Sequence, residues 1–448
     1  MIQISRPKPA YTYASLNRDM MAQLQKPGAL YYVALLAVIA GVLWAGYALS
    51  IQINYGMGND GITHPVMWGL FIVNFVFWVG IGHAGTLISS VLYVFRVPWR
   101  NPIYRTAEAM TVFAVMTAGL FPLIHLGRIW YFYWLFPYPN PRQIWVNFRS
   151  PLVWDVFAVS TYATVSMLFF YIGLVPDLAI ARDNEKPGLR KTIYGILSLG
   201  WNNSWSQWRP FNNAYMFIAS LAFPLVLSVH SVVSWDFAMS IMPGWHSTIF
   251  APYFVAGAIF SGMSMVITIL LPMRKIFKME HIIEDYHMTS AAKMIAFTGL
   301  IVVYSYCTEF FIAWYGGVEA EQYMFLYRAF GEDYRFGFWV MFLCNAVSPL
   351  LLLFKRIRTN MIVLWIITIF VNIGMYFERF NIVVSSLSRD YDPAVWGTYT
   401  PSWIELSVTA GSFCWFFMWF LLYAKQGPLV ATVEVKEITP PPLAKEAH

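Results

Sequence analysis

Long apolar runs, broken at intervals by short clusters of charge, proline and glycine, make up most of this chain. A helix needs about 20 mostly apolar residues to cross a bilayer. Ten runs meet that length, near 28–52, 65–95, 108–135, 152–176, 213–240, 248–271, 291–316, 335–356, 360–380 and 402–424. The second, third and fifth exceed one crossing, so tilt or extension beyond the bilayer is expected of them. The expected fold class is therefore an all-α polytopic membrane protein. Composition agrees, since 58 % of the 448 residues are apolar and only 12 % charged, whereas an ordinary soluble domain carries about 25 % charged residues. The N-terminal stretch MIQISRPKPAYTYASLNRD is polar and lacks the apolar core of a signal peptide, so the first run is expected to stay as a span.

Charge then orients the spans. With ten crossings both termini share a side, together with the 96–107 and 177–212 loops and the clusters Arg274, Lys275, Lys278 and Lys355, Arg356, Arg358. The N-terminal tail adds Arg6, Lys8, Arg18 and Lys26, and all eleven lysines fall on or next to this side. By the positive-inside rule it is the cytoplasm.

Three ionisable residues interrupt the apolar runs: His125 in LFPLIHLGRIW, Asp155 in SPLVWDVFAVSTY and Asp236 in LSVHSVVSWDFAMS. An Asp at a helix centre costs roughly 2.5–3.5 kcal/mol on insertion scales and less towards the interface, so such residues tend to face a bundle interior and serve a function. Threading puts His125 near the outer end of span three, Asp155 just inside the outer end of span four and Asp236 near the outer end of span five. All three share one depth, in the outer third of the membrane. His83 sits deeper, in the middle of span two. Pairing with a nearby arginine is the plainer account of any one of them, and Arg128, a turn beyond His125, is the obvious candidate.

A weak internal repeat runs through the spans. Gly80 and Gly85 in WVGIGHAGTLISSVLYVFR match Gly257 and Gly262 in VAGAIFSGMSMVITILLPMR at an offset of 177 residues, and Gly119 matches Gly299. Two parallel four-helix bundles are expected, spans 2–5 and 6–9, flanked by spans 1 and 10. The implied divisions are a cytoplasmic tail (1–27), the first span with the first bundle (28–240), the second bundle (241–380), and the last span with its tail (381–448). His83 and His125 align with Phe260 and roughly Ser305, which assigns the chemistry to the first half. Glu309 is the nearest buried acid in the second half, with Glu378 and Glu405 near helix ends.

Oxidising a quinol releases two protons, so its site needs bases at the hydroxyls, and a neutral His beside a titratable carboxylate supplies them. A quinone ring and tail also want an apolar, aromatic-lined cleft. Trp130, Tyr131, Tyr133, Trp134 and Trp154 surround His125 and Asp155 in sequence, although an interfacial aromatic belt places such residues equally well. Transmembrane haems need facing axial ligands, and His83, His125 and His230 lie on three different spans. Cys307, Cys344 and Cys414 fall in separate runs without metal-ligand spacing. No metal, haem or iron–sulfur cluster is therefore expected in this chain, and the electrons must leave to a partner on the outer face.

The stretches FVFWVGIGHAGTLISSVLYVFRVPWRNPIYRTAEAMT, GLFPLIHLGRIWYFYWLFPYPN and WVNFRSPLVWDVFAVSTY resemble the NrfD/PsrC-like quinol-interacting membrane subunits, and more narrowly those of bacterial alternative complex III. The resemblance implies menaquinol oxidation near the periplasmic face of the first bundle, in a bacterial cytoplasmic membrane. His125 and Asp155 match the family's quinol-site residues, Asp236 matches a third acid, and Arg128 and Trp154 are expected to line the site. Implied partners are an iron–sulfur subunit related to molybdopterin oxidoreductases, a second NrfD-like subunit, and multihaem and monohaem cytochromes c. Nothing points to nucleic acid. Proton translocation would add His83, Glu309 and Glu378 as relay members. Two competing functions remain: a quinone-linked anchor of a polysulfide- or DMSO-reductase-like enzyme, and an ion-coupled transporter. The transporter is disfavoured because the polar residues gather at one face of one half rather than at the midplane.

Overall fold

The structure is a computed structural model that describes residues 12–137 and 148–437. Arg6 and Lys8 of the tail, and residues 138–147 within the motif region, lie outside the described residues. Among the described residues, ten helices are long and apolar enough to span a membrane. They are α1 (Ala29–Tyr55), α2 (Gly69–Val94), α3 (Tyr104–His125), α4 (Pro151–Asn184), α5 (Trp205–Ala238), α6 (Phe250–Ile276), α7 (Asp285–Gly316), α8 (Arg335–Leu353), α9 (Met361–Ser385) and α10 (Trp403–Gln426). A helix hydrophobic all round must be surrounded by protein or lipid, and burial separates the two cases. In the most apolar stretch of α2, 94 % of residues are buried within the protein, against 6 % in α1, so α2 is a core helix and α1 faces lipid.

Helix contacts close two rings. One passes through α2, α3, α4 and α5 and back to α2, the other through α6, α7, α8 and α9 and back to α6. The rings meet where α2 lies along α6, and α1 pairs with α10 beside α2 and α3. The α2–α6 seam depends on Gly262, where an added Cβ would stand 2.5 Å from the Ala84 Cβ and 2.9 Å from the Ile81 carbonyl oxygen. Small residues let helices approach this closely where no hydrophobic effect drives them together. Gly262→Val is expected to overpack the seam and cost about 1–3 kcal/mol, read as a lower midpoint of thermal aggregation in detergent.

Two differences between helix boundaries and apolar runs bear on the site. The third run extends to residue 135, but α3 stops at His125. Gly127 adopts φ +72, a left-handed cap that other residues resist, and its N–H donates to the Ile124 carbonyl oxygen at 3.0 Å. The aromatic stretch Ile129–Leu135 then turns as a 3₁₀ segment, with Trp130, Phe132, Tyr133 and Trp134 exposed. The fourth run ends at Pro176, yet α4 continues through that proline to Asn184. Arg105 supports this stretch by donating to the Gly173 carbonyl oxygen at 2.6 Å, in the turn before Pro176. Side chains of neighbouring helices are the usual means by which a span tolerates proline.

Both described ends of the chain lie at one face, referred to below as the terminal face. The helix Tyr13–Gln23 meets the segment Thr432–Glu437, with the Tyr13 hydroxyl donating to the Lys436 carbonyl oxygen at 3.1 Å. Gln23 donates to the Ala424 and Gly427 carbonyls at the end of α10, at 2.8 Å each. Glu434 pairs with Arg100 at 2.5 Å, and the Val433 N–H donates to Asp177 at 3.1 Å. The C-terminal segment thus closes the first ring from below.

Candidate functional site

His125, Asp155 and Asp236 all lie at the face opposite the termini. His125 is the last residue of α3, Asp155 the fifth of α4, and Asp236 stands two residues before the end of α5. Because α4 and α5 pack side by side, their acids meet: the Asp155 and Asp236 carboxyls stand next to each other, close enough to interact. The flanking indoles of Trp154 and Trp235 meet edge to face with centroids 6.0 Å apart. Trp154 is also anchored, its Nε1 donating to the Phe148 carbonyl oxygen at 2.6 Å.

His125 reaches this end of the ring by way of α2. Its ring meets Phe71 edge to face at 6.5 Å, and one turn earlier Trp68 meets Phe237, the neighbour of Asp236, at 5.8 Å. Asp155 Oδ1, Asp236 Oδ1 and His125 Nδ1 are all buried and have no hydrogen-bond partner among the described residues. A buried polar atom normally finds one, so three unpaired groups gathered at one end of a helix ring stand out. Arg128, the expected alternative partner for His125, is instead exposed on the turn after Gly127.

His83 belongs to a deeper cluster. Its Nδ1 lies 2.6 Å from the Val79 carbonyl oxygen; a carbonyl only accepts, so Nδ1 carries the hydrogen and Nε2 is left as a buried acceptor without a partner. The ring stacks on Tyr162 at 4.9 Å and meets His230 at 4.6 Å. Both His230 nitrogens are buried and unpartnered. Tyr162 is held by Thr86 at 2.8 Å and donates to the Gly82 carbonyl at 2.9 Å.

The second ring holds two further buried acids, Glu309 and Glu378. Glu378 pairs with Arg379 at 3.0 Å and accepts from the Tyr306 hydroxyl, which in turn accepts from Asn345 at 2.8 Å. Glu309 is buried, with Oε1 unpartnered. Glu405 has a structural place instead, capping α10 and accepting from Gly61 N–H at 2.7 Å and the Tyr399 hydroxyl at 2.5 Å. Outside the spans, burial first and then the nearby Glu405 push the Asp60 carboxyl up to about 7.

His230 and Tyr162 are the site residues that the sequence pattern does not single out. Their only sequence signal is position within a span, and ring contact with His83 arises from the packing of α2, α4 and α5.

Comparison with known proteins adds a family. The family described as "Polysulphide reductase, NrfD" matches residues 58–389. The chain is similar to a putative dimethyl sulfoxide reductase membrane subunit from Halobacterium salinarum, 29 % identical over 411 residues, covering 86 % of this chain and 87 % of that protein. It is also similar to a selenate reductase subunit from Mesobacillus selenatarsenatis, 24 % identical over 407 residues, 85 % of this chain and 90 % of that one. A third relative is an Hdr-like menaquinol oxidoreductase integral membrane subunit from Archaeoglobus fulgidus, 21 % identical over 430 residues, 91 % of this chain and 96 % of that one.

Proposed function

Because the chain belongs to the NrfD family of polysulphide reductase membrane subunits, we propose that it binds a quinol at Asp155, Asp236 and His125 and takes its protons. The observation that supports this reading is the adjacent carboxyl pair, each member with a buried oxygen that has no partner among the described residues. Quinol oxidation releases two protons and two electrons. The hydroxyl protons pass to a carboxylate oxygen of the pair and to the His125 imidazole, and then to the water at that face. The electrons pass to a redox centre of a partner subunit docked at the same face. Trp154 and Trp235 wall the site against lipid, and Arg128 lies at its rim, where it meets the partner or the lipid headgroups.

Lysine placement supports a cytoplasmic terminal face and a periplasmic acid pair, in a bacterial cytoplasmic membrane. The sequence motifs favour alternative complex III, with menaquinol as substrate. Its partners would be an iron–sulfur subunit related to molybdopterin oxidoreductases, a second NrfD-like subunit and cytochromes c. A second reading is an anchor that feeds a DMSO- or selenate-reductase-like molybdoenzyme, favoured by the names of two of the relatives. Either way the quinol is oxidised here and the partner differs.

Isolating the intact complex and adding menaquinol is expected to reduce the partner's redox centres, and subunit masses separate the two readings. Partner centres that stay oxidised would remove the proposal. The same complex in closed vesicles tests whether His83, Glu309 and Glu378 relay protons across the membrane: acidification beyond the scalar two protons per quinol is the expected sign of such a relay.

A further inference from the structure

The second ring has a recess of its own, which the reaction above does not use. A cavity of about 250 Å³ is lined by Tyr253, Tyr306, Glu309, Arg328, Phe338 and Trp339. It lies at the same face as the acid pair, since α3 ends at His125 and α7, which runs in the same direction, carries Glu309 near its end at Gly316. The helix Glu319–Phe330 crosses this end and brings in Arg328. The rim is on the outside of the ring: Trp339 is 41 % exposed, Phe330 65 %, and Cys307 is exposed as well. In a membrane this opening faces lipid.

Its polar groups are few and fixed. Glu309 is 6 % exposed and its Oε1 has no hydrogen-bond partner among the described residues. Arg328 is 4 % exposed and held by Ser385 at 2.9 Å and Ser386 at 3.0 Å, with its guanidinium 4.9 Å from the Phe325 ring centroid. Two wide π turns flank the recess. Leu343–Val347 presents Asn345 to Tyr306, and Asn381–Ser385 presents Ser385 to Arg328. Such turns are rare and concentrate at functional sites. The layout also parallels the first ring, because α7 and α9 carry Glu309 and Glu378 where α3 and α5 carry His125 and Asp236.

We propose that this recess is a second binding site for a quinone-class headgroup, an aromatic ring with paired oxygens and an apolar tail. Phe338 and Trp339 cover the ring, Glu309 accepts from one hydroxyl, Arg328 donates to the far oxygen, and the tail leaves through the lipid-facing rim. A phosphodiester headgroup suits it less, because the unpaired Glu309 carboxyl would face the phosphate. The proposal shares its ligand class with the function above but none of the residues that bind the quinol there, and it involves binding only.

The test is equilibrium binding of a radiolabelled 2-methyl-3-prenyl-1,4-naphthoquinol to the intact, fully reduced complex in phosphatidylcholine nanodiscs. A second NrfD-like subunit would add a constant background, so equivalents are compared between variants of this chain. Glu309→Gln keeps size and shape and is expected to weaken one class of site about tenfold. Cys307→Phe fills the rim and is expected to remove the same class, while Asp155→Asn leaves that class unchanged. Binding unchanged by both Glu309→Gln and Cys307→Phe overturns the second site, as does release of a tightly held phospholipid by those variants with naphthoquinol binding intact. Near-normal turnover in Asp155→Asn together with binding sensitive to Glu309→Gln would remove the first site and leave this one standing.

Discussion

Asp155→Asn is expected to lower quinol oxidation by the intact complex about 100-fold or more, with assembly unchanged. The magnitude follows from positioned acid–base groups, which contribute roughly 10²–10⁴-fold. Asn has the size and shape of Asp, and its amide N–H can donate to the Asp236 carboxylate, so the contact between α4 and α5 is preserved. What it cannot do is accept the hydroxyl proton. The loss is therefore expected in kcat more than in KM, since apolar contacts to the quinol ring are untouched. Asp236→Asn is expected to act in the same direction. A merely structural acid would behave differently: its Asn variant would lower the yield of complex and leave the turnover of the assembled fraction near normal. Steady-state turnover per assembled complex, with subunit stoichiometry checked by mass, decides between them, and near-normal turnover would sink the assignment.

The depth of His125, Asp155 and Asp236 was legible in the sequence because each is bracketed by residues that have to lie in the membrane, and chain direction then sets the end. Ten spans were legible for the same reason. Their meeting was not. The contact between Asp155 and Asp236 depends on the rotation of α4 against α5, and long helices apolar on all sides carry no periodic signal from which to read rotation. The end of α3 was missed because the aromatic run after His125 is as apolar as the helix before it, and only the left-handed Gly127 stops the helix. The recess of the second ring was hidden for a further reason. Its acid and its arginine come from α7 and from a short crossing helix 19 residues away, and hydropathy places neither beside the other.

Arg105→Met is expected to prevent assembly of the first ring or to destabilise it by about 3–5 kcal/mol, the usual cost of leaving a buried charge without its partner. Arg105 is 1 % exposed and pairs with Glu108 at 2.9 Å and with Asp177 at 3.1 Å, while also holding the Gly173 carbonyl. Removing it leaves two carboxyls buried together, and they belong to different helices, α3 and α4. Asp177 also receives the Val433 N–H, so repulsion there is transmitted to the C-terminal segment. Faster proteolysis of residues beyond α10 should accompany the lower stability. If unpaired charge is the cause, Arg105→Met combined with Glu108→Gln and Asp177→Asn recovers most of the loss, because no carboxylate is then left stranded. If the guanidinium acts mainly by supporting the turn before Pro176, the triple variant stays as unstable as the single one. Thermal aggregation midpoints of the two variants in the same detergent separate these causes.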